Sequence, residues 1–412
     1  MESGNFTYYP ATSPANIQNC MNKAGDKVTK MFWWHKEGWF KYNYLLISAH
    51  YGLDLEKSKK MDTSCREAFL VPDSAKVFGD SGGFQAWTLG KIIPNQVIID
   101  WYEKNCDYGF IQDFPEKFIN MRNQMKAGKI HIDSKEVYKR MAEYQAESNV
   151  EFLKAKLSKC KLYNILHGDS LEQMDYWFET VKNDKMFGWG VPVRPPDPFK
   201  TAFLLAFFHS KGIKENVHLL GCSGYDAIPV IAYASKWISN ITFDSSSWAG
   251  GSMYRAYSNP LNIRQKFALG DKAVSKYEKL PCDCPVCSKI TNTKAIYEGT
   301  GIAGNILSLH NLYWLLWFIE RIKDLTQVPS DFKEMIKTSF SKDVLHSMDY
   351  LEMAMKDFSG ANIKYRSMLN DRRSLLETTE KYEESGMISD LYPEPEKKSK
   401  KKKKLESVED LI

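Results

Sequence analysis

The chain has 412 residues, of which 43% are hydrophobic and 26% charged, with a formal net charge of +5. This length suits one large α/β barrel with additions, and the ordinary apolar content permits a sizeable buried core. No apolar run reaches the roughly eighteen residues of a membrane span, so the sequence predicts none. The positive charge is concentrated near the end of the chain, so any basic surface elsewhere must come from the arrangement of charges.

Residues 1–40 are predicted to form an N-terminal extension ahead of the barrel. Its most aromatic part is Phe32-Trp33-Trp34. We expect these rings to pack in the core or to plug the barrel. The alternative is an aromatic surface on which unpaired bases stack.

Short apolar runs alternate with amphipathic helical stretches from residue 44 onward, and such alternation predicts a parallel sheet. We expect strands at 44–48, 75–79, 108–112, 162–166, 187–193, 217–220 and 241–243, with helices such as 135–159 and 171–182 between them. Periodicity does not place an eighth strand, so it does not close a barrel by itself.

Six of these runs end in polar residues. Because the carboxyl ends of parallel strands open on one face of a barrel, these side chains would meet at one site. Loops are polar in any case, but that explains less easily an acid directly at three strand ends. The segments are Asp80-Ser81, Asp113, His167-Gly168-Asp169, Arg194, Cys222-Ser223-Gly224 and Asp244-Ser245-Ser246-Ser247.

The run at 75–79 leads into the hexapeptide Asp80-Ser81-Gly82-Gly83-Phe84-Gln85. A strand that ends in this way delivers a carboxylate, a hydroxyl and an amide to one loop, and its glycines let a flat ligand approach the backbone. These groups can hydrogen-bond the edge of a purine-like base while Phe84 stacks on its face. The alternative is an ordinary Gly-rich turn with a helix-capping aspartate.

Cys282, Cys284 and Cys287 are followed, after 22 intervening residues, by His310. Three thiols and an imidazole form the usual closed, tetrahedral structural zinc site. The alternative is a disulfide cluster, which needs an oxidising compartment. We see no signal peptide, and therefore expect a cytoplasmic protein and a structural Zn²⁺. The stretch that His310 opens is predicted to be an apolar helix.

The end of the chain is predicted to have two parts. A helical extension covers 328–396, with helices at 330–338, 344–358 and 363–382. A Lys-rich tail covers 397–412 and holds seven lysines between 397 and 404. Such a tail is expected to be disordered and solvated, and it can also raise nonspecific affinity for nucleic acid.

The hexapeptide at 80–85, then C-x-C-x2-C and Leu309-His310-Asn311-Leu312, resembles the tRNA-guanine transglycosylases and their DNA-modifying relatives. The resemblance covers about residues 40–325. It implies a (β/α)8 TIM-like barrel at 41–327 that includes a zinc-binding subdomain at 280–312. It also implies a pentosyltransferase that exchanges guanine in a polynucleotide for another base through a covalent aspartyl-glycosyl intermediate.

Breaking a glycosidic bond at C1′ through an oxocarbenium-like transition state suits a pair of carboxylates. The resemblance assigns Asp244 as the nucleophile, because the family has Phe-Asp at the matching place. Asp80 is assigned as the acid/base that helps guanine to leave and then deprotonates the incoming base. The alternative for Asp244 is a cap on the next turn.

The remaining site residues carry over from the resemblance as contacts to the base. Two segments depart from the family pattern. His167-Gly168-Asp169 lies where the family usually has Gln-Gly-Gly, and Gly188-Trp189-Gly190-Val191 lies where it usually has a Gly-Gly-Leu backbone contact, so the identity of the incoming base stays open. The alternative for His167 is an ordinary loop histidine with no contact to the base. The expected substrate-binding residues are Ser81, Phe84, Gln85, Asp113, His167, Gly168, Gly190 and Val191.

The largest departure follows Asp244. Transfer-RNA enzymes typically continue with a Pro-Thr-Arg stretch that reads flanking bases, whereas this chain has Ser245-Ser246-Ser247-Trp248. Trp248 could stack on a base or wedge a duplex around a flipped nucleotide. We also recognise no appended RNA-binding domain. The chain is therefore most similar to the DNA-modifying 7-deazaguanine transglycosylases, the DpdA type of bacterial and phage restriction-modification.

We accordingly expect a DNA-guanine transglycosylase that inserts a 7-deazaguanine (preQ0-like) base. The first alternative is a divergent tRNA-guanine transglycosylase. The second alternative is a non-catalytic, zinc-stabilised subunit that binds nucleic acid. The presence of both Asp80 and Asp244 disfavours this alternative. The expected partners are DNA, or else tRNA, and the 7-deazaguanine base, with no membrane and with a bacterial or infected-host cytoplasm as location. Formation of a homodimer and a need for helper proteins stay open.

Overall fold

The structure is a computed structural model that describes residues 6–12, 30–58, 64–83, 93–113, 134–168, 170–193, 196–249, 256–260, 262–268, 282–291 and 302–369. Phe84, Gln85, Asp169, Arg194 and the Lys-rich tail lie outside these ranges.

Eight parallel strands form a closed barrel in chain order, from β1 to β8. The barrel closes where β1 pairs with β8, with Phe6 opposite Ile241 and Tyr9 opposite Asp244. This is the (β/α)8 TIM-like barrel that the resemblance implied. The strands are β1 (Phe6–Thr12), β2 (Tyr44–Ser48), β3 (Lys76–Asp80), β4 (Tyr108–Phe110), β5 (Lys161–Ile165), β6 (Gly188–Pro192), β7 (Val217–Leu220) and β8 (Ile241–Ser245).

Helices follow the strands and cover the outside of the barrel. Several begin at a side-chain cap, as where the carboxylate of Asp197 accepts a hydrogen bond from the Lys200 N–H at 2.7 Å. None of the described helices is long and apolar enough to cross a membrane. The helices between the strands are α1 (Ala49–Ser58), α2 (Cys65–Ala68), α3 (Asn95–Asn105), α4 (Ser134–Lys154), α5 (Leu171–Val181), α6 (Pro198–Ser210) and α7 (Ala227–Ala234).

After β8 the chain adds an antiparallel hairpin and a set of helices. The hairpin pairs β9 (Ala256–Asn259) with β10 (Asn262–Ala268). The helices are α8 (Ile302–Thr326), α9 (Pro329–Ser339), α10 (Lys342–Ala354) and α11 (Phe358–Lys364). Helices are thus present in the predicted extension as far as residue 369, and they pack on the barrel: the rings of Phe199 in α6 and Tyr350 in α10 are 4.8 Å apart. The predicted helix at 344–358 is divided between α10 and α11, and residues 370–396 of the predicted extension lie outside the described ranges.

The predicted boundary at residue 41 was wrong, because the first barrel strand lies at Phe6–Thr12. The strand contains Pro10, which weakens a strand signal in sequence. Its main partner is β8, the last strand of the barrel in sequence, so no local sequence pattern predicts the pairing. Trp33 and Trp34, within the same predicted extension, are buried, which confirms core packing over an exposed stacking surface.

Aromatic side chains fill the barrel interior. Phe78 of β3 lies 4.5 Å from the ring of His218 in β7, and Phe110 of β4 lies 4.9 Å from it. Tyr9 of β1 and Tyr163 of β5 also contact Phe78, with ring centroids at 5.3 and 4.9 Å. Strands this far apart in the barrel can touch only through its interior. This apolar filling lies beneath the carboxyl ends of the strands, where a barrel carries its site.

Candidate active site

Two of the predicted site carboxylates stand at the carboxyl end of the barrel. Asp80 is the last residue of β3, and Asp244 is the next-to-last residue of β8. Asp80 lies two residues after Phe78, so alternation along the strand places both side chains on the interior face. Asp244 is on the interior face as well, since its carboxylate bonds to His218. The structure therefore brings together the two residues that were assigned to catalysis.

The environment of Asp80 favours its protonated form. Burial, then the charge of Asp244 and then the charge of Asp113 raise the pKa of Asp80 to about 7. Hydrogen bonds from the Ser48 hydroxyl and the Gly82 N–H act in the opposite direction and limit the rise. A carboxyl group with a pKa near neutrality can both give and take a proton at physiological pH.

Asp244 is held as a hydrogen-bond acceptor. Its Oδ1 lies 3.1 Å from Nε2 of His218 and accepts a hydrogen bond from the Gly221 N–H at 2.9 Å. Both contacts fall on the same oxygen, and only 8% of the residue's surface is exposed. The Gly221 N–H therefore fixes this oxygen as a hydrogen-bond acceptor, and the imidazole nitrogen lies within hydrogen-bond distance of the same atom.

His218 is a site residue that the sequence analysis missed. It is fully buried in the middle of the apolar run 217–220, and burial lowers its pKa, although the hydrogen bond to Asp244 opposes this shift. Its Nδ1 lies 2.8 Å from the hydroxyl of Thr242. A polar residue inside a predicted core strand was the only signal that could have revealed it.

Asp113 and His167 form a second polar pair at this end of the barrel. Nε2 of His167 is 2.6 Å from Oδ1 of Asp113, and the imidazole packs edge-on against Trp177 at 4.9 Å. The backbone N–H of Asp113 donates to the hydroxyl of Ser81 at 3.1 Å. Asp113, His167 and Ser81 are thus brought together as predicted. Ser81 is buried and braces the loop of Asp113.

Three glycines near the site occupy positions that disfavour a larger residue, either because a side chain would clash with a neighbour or because the backbone is left-handed. Gly82 has a φ of +83°, in the left-handed region, and a Cβ added at Gly83 would lie 2.8 Å from Cβ and O of Asp113. Gly190 lies within β6, where an added Cβ would meet the ring of Phe110 at 2.6 Å. Packing in the barrel interior therefore accounts for Gly190 by itself, and Val191 beside it is buried. Their expected contact to the base stays a prediction, as does that of Gly168.

The segment after Asp244 is neutral and internally bonded. The hydroxyl of Ser247 lies 2.7 Å from that of Ser223 and 3.2 Å from that of Ser245. Tyr8 of β1 donates to the carbonyl of Ser245 at 3.0 Å. These serines tie β8 to its neighbours.

Trp248 does not form the wedge that the sequence suggested. Its side chain is buried, with 6% of the residue exposed, and its ring packs edge-on against Trp33 at 5.3 Å. A wedge must reach out of the protein into a base stack. The Trp33 contact keeps this ring inside the core instead, so the wedge hypothesis was wrong.

The three predicted cysteines and His310 do converge. Their ligand atoms all lie within 4.8 Å of one another. Nδ1 of His310 is 3.2 Å from Sγ of Cys287 and 3.5 Å from Sγ of Cys284. Cys282 and Cys284 lie just before the short 3₁₀ turn Cys287–Lys289, and His310 projects from α8. This buried group could hold a metal ion.

The surroundings of His310 also fit a metal site. Its Nε2 lies 2.9 Å from the carbonyl oxygen of Ser258 in β9, which leaves Nδ1 to face the thiols. Metal-ligating histidines commonly donate their other N–H to such an acceptor. The ring of Tyr257 stacks on the imidazole at 3.8 Å.

The sulfur atoms receive donors of their own. Backbone N–H groups of Cys284 and Cys287 point at Sγ of Cys282 and Cys284, at 3.3 and 3.4 Å, and the indole N–H of Trp314 points at Sγ of Cys282 at 3.3 Å. Thiolates are the form that binds a metal, so donors of this kind suit a thiolate-rich site.

The chain is similar to three curated tRNA-guanine(15) transglycosylases. The relative from Methanococcus aeolicus is 28% identical over 265 residues, 62% of this chain and 37% of the relative. The relative from Saccharolobus solfataricus is 23% identical over 292 residues, 68% of this chain and 54% of the relative. The relative from Pyrococcus furiosus is 25% identical over 250 residues, 59% of this chain and 39% of the relative.

These similarities are to proteins of the guanine transglycosylase superfamily, at 23% to 28% identity. The matched part spans between 37% and 54% of the length of these relatives, and no protein-family model matches the chain. The relatives are named for activity on tRNA, so the comparisons do not support the expected DNA substrate.

Proposed function

We propose that this protein is a guanine transglycosylase that exchanges guanine in a polynucleotide through a covalent bond between Asp244 and C1′. The observation that supports this proposal most is the pair of interior carboxyl groups at one end of the barrel. The pKa of Asp80 is raised to about 7, and Oδ1 of Asp244 lies within hydrogen-bond distance of Nε2 of His218 and of the Gly221 N–H. Cleavage at C1′ with retention uses two carboxyl groups, one that bonds C1′ and one that gives and takes a proton.

In the first step, Oδ2 of Asp244, the oxygen that does not face His218 and Gly221, forms a bond to C1′ while the bond from C1′ to guanine breaks. The electron pair of that bond passes to the leaving base, and protonated Asp80 supplies the proton. In the second step, Asp80 removes a proton from the incoming base, whose nitrogen attacks C1′. The bond to Asp244 then breaks, and its electron pair returns to the carboxylate.

Asp113 and His167 are proposed to bind the edge of the base. The imidazole engages Oδ1 of Asp113, which leaves the other carboxylate oxygen for N–H groups of a guanine-like ring. Ser81 fixes the backbone of Asp113. We propose a 7-deazaguanine of the preQ0 kind as the incoming base, with Gly168, Gly190, Val191, Phe84 and Gln85 as further contacts.

For the polymer we propose DNA. Support comes from the segment after Asp244, where this chain has short hydroxyl side chains bonded to one another in place of the basic stretch typical of tRNA enzymes. Since Trp248 is buried, the proposal no longer includes a tryptophan wedge. The second candidate is tRNA, which the names of the relatives favour.

The Cys3His group is proposed to hold a structural Zn²⁺. Three thiolates and Nδ1 of His310 would complete a tetrahedral set with no open position, so the ion would stabilise the fold and take no part in base exchange. Asn311, next to His310, donates to the Ala256 carbonyl at 2.9 Å and to that of Trp248 at 3.4 Å. The metal would therefore stiffen the helix to which the segment after β8 is attached.

An exchange assay tests the proposed chemistry. Purified protein is incubated with labelled guanine and with plasmid DNA or tRNA, and the label in each polymer is counted. Asp80→Ala should reduce exchange by about a hundred- to ten-thousand-fold, the usual cost of losing general acid–base help. Exchange by this variant within a few-fold of wild type would remove Asp80 from the mechanism.

A further inference from the structure

We infer that His218 is a positioning residue that, together with the Gly221 N–H, sets Asp244 up as a leaving group for the second half of the exchange. The inference rests on the proposed function, since it concerns the same covalent intermediate. It adds a residue that acts through Asp244 and does not touch the nucleic acid.

The hydrogen bonds define the form of His218. A carboxylate only accepts, so Nε2 at 3.1 Å from Asp244 must carry the proton. Nδ1 then accepts from the hydroxyl of Thr242 at 2.8 Å. Thr242 and His218 are direct partners in the β7–β8 pairing, so the sheet itself holds this arrangement. The result is a fixed line of donors that runs from Thr242 through His218 to Asp244.

The same geometry separates the two oxygens of Asp244. His218 and Gly221 both point at Oδ1, which leaves Oδ2 to bond C1′. Once the ester has formed, Oδ1 is its carbonyl oxygen and carries little charge. When the ester breaks, negative charge returns to the carboxyl group, and both donors are already in place to meet it.

The two half-reactions should therefore respond in opposite directions to the loss of the His218 donor. A donor to a charged group stabilises the free carboxylate more than the ester. Its removal raises the free energy of the starting carboxylate and so eases attack. It also removes stabilisation from the departing carboxylate and so slows release. The ratio of release rate to formation rate should fall by about ten- to a hundred-fold.

A merely structural role predicts something else. His218 is fully buried against Phe78 and Phe110, so any substitution disturbs packing and lowers the amount of folded enzyme. That loss lowers both rates by the same factor, because inactive protein contributes to neither. The ratio of the two rates is therefore the informative quantity.

The test measures both half-reactions by rapid quench on full-length protein. Guanine release from DNA or tRNA without added base gives the formation rate, and uptake of labelled guanine by the preformed adduct gives the release rate. His218→Leu removes the donor, whereas His218→Gln keeps an N–H that can reach Asp244. Thr242→Val leaves the imidazole but removes the hydroxyl that fixes its tautomer.

We expect the ratio to fall in His218→Leu, to fall less in Thr242→Val and to stay near wild type in His218→Gln. If His218→Leu does not fold, the ratio measured for Thr242→Val tests the role of His218. An unchanged ratio in the folded donor-loss variants overturns the role of His218 and leaves the proposed function intact. Failure of the wild type to exchange guanine in either polymer overturns the proposed function, and this inference with it.

Discussion

Asp80 is the last residue of the third strand and Asp244 the next-to-last residue of the eighth strand of one closed barrel, and the charge of Asp244 adds to burial in raising the pKa of Asp80 to about 7. Neither residue would have this chemistry alone. The barrel brings together two carboxyl groups far apart in sequence and, with its aromatic interior beneath them, keeps one of them protonated near neutrality.

The raised pKa of Asp80 should appear in the pH dependence of stability. The folded protein keeps this proton up to about pH 7, whereas an unfolded aspartate loses it near pH 4. The folded state therefore binds more protons in that window, and the free energy of unfolding falls as pH rises through it. Asp80→Asn should be more stable than wild type at pH 8, by on the order of a few kcal/mol, and the difference should vanish toward pH 4.

Asp107 provides the matched control for this measurement. Burial acts to raise its pKa, but hydrogen bonds from the Val77 N–H, Arg66 and Lys76 outweigh burial and lower it. Asp107→Asn should therefore lose stability at pH 8, and the loss should shrink as pH falls through the folded pKa. Urea unfolding at several pH values gives both curves. Parallel curves for Asp80→Asn and wild type would show that the pKa of Asp80 is not raised.

The Cys3His group should bind about one zinc ion per chain, because its four ligands complete a closed site. Cys284→Ser should lose the metal and melt at a lower temperature. Cys160→Ser is the control, since Cys160 is also buried but lies outside the cluster, and this variant should keep its zinc. Elemental analysis and thermal melting measure both. Full metal retention by Cys284→Ser contradicts the assignment.

His167→Ala should weaken binding of the base. The imidazole holds Oδ1 of Asp113 at 2.6 Å, and a hydrogen bond to a charged group contributes about 1.5–3 kcal/mol. We expect KM for the incoming base to rise by about ten-fold or more while kcat changes less. His167→Gln introduces the residue usual at this place in the tRNA-guanine transglycosylases that the chain resembles and keeps a donor, so its KM should lie closer to wild type. A KM in His167→Ala equal to that of wild type would show that the pair does not bind the base.

Trp248→Ala should act on stability. The ring is buried against Trp33, and truncation of a buried tryptophan costs about 3–5 kcal/mol. The melting temperature should therefore fall, and exchange on duplex and single-stranded substrates should change by the same factor once corrected for folded protein. A selective loss on duplex DNA with an unchanged melting temperature would restore the wedge hypothesis.

The sequence predicted those elements whose signal is local. Strands β2 and β7 lie where their apolar runs placed them, and the metal ligands converge as their spacing indicated. Strand β1 was missed, because Pro10 weakens its pattern and its pairing with β8 is long-range. The same limit hid His218, whose role depends on Thr242 and Asp244 in the neighbouring strand.

Trp248 shows the converse error. A tryptophan in a loop beside a catalytic residue reads as an exposed binding group. Its burial depends on Trp33, a residue more than half the chain away, and a single sequence gives no sign of such a contact.

The decisive measurement is the transfer of labelled guanine into DNA and tRNA by wild type and Asp244→Asn, with mass spectrometry of the trapped protein–nucleic acid adduct. We expect wild type to label DNA and to carry an adduct on the peptide that contains Asp244, and Asp244→Asn to do neither while still binding the polymer. Label in tRNA alone would replace DNA by the second candidate and leave the chemistry standing. Label in neither polymer, or an adduct that persists in Asp244→Asn, would contradict covalent guanine exchange at Asp244.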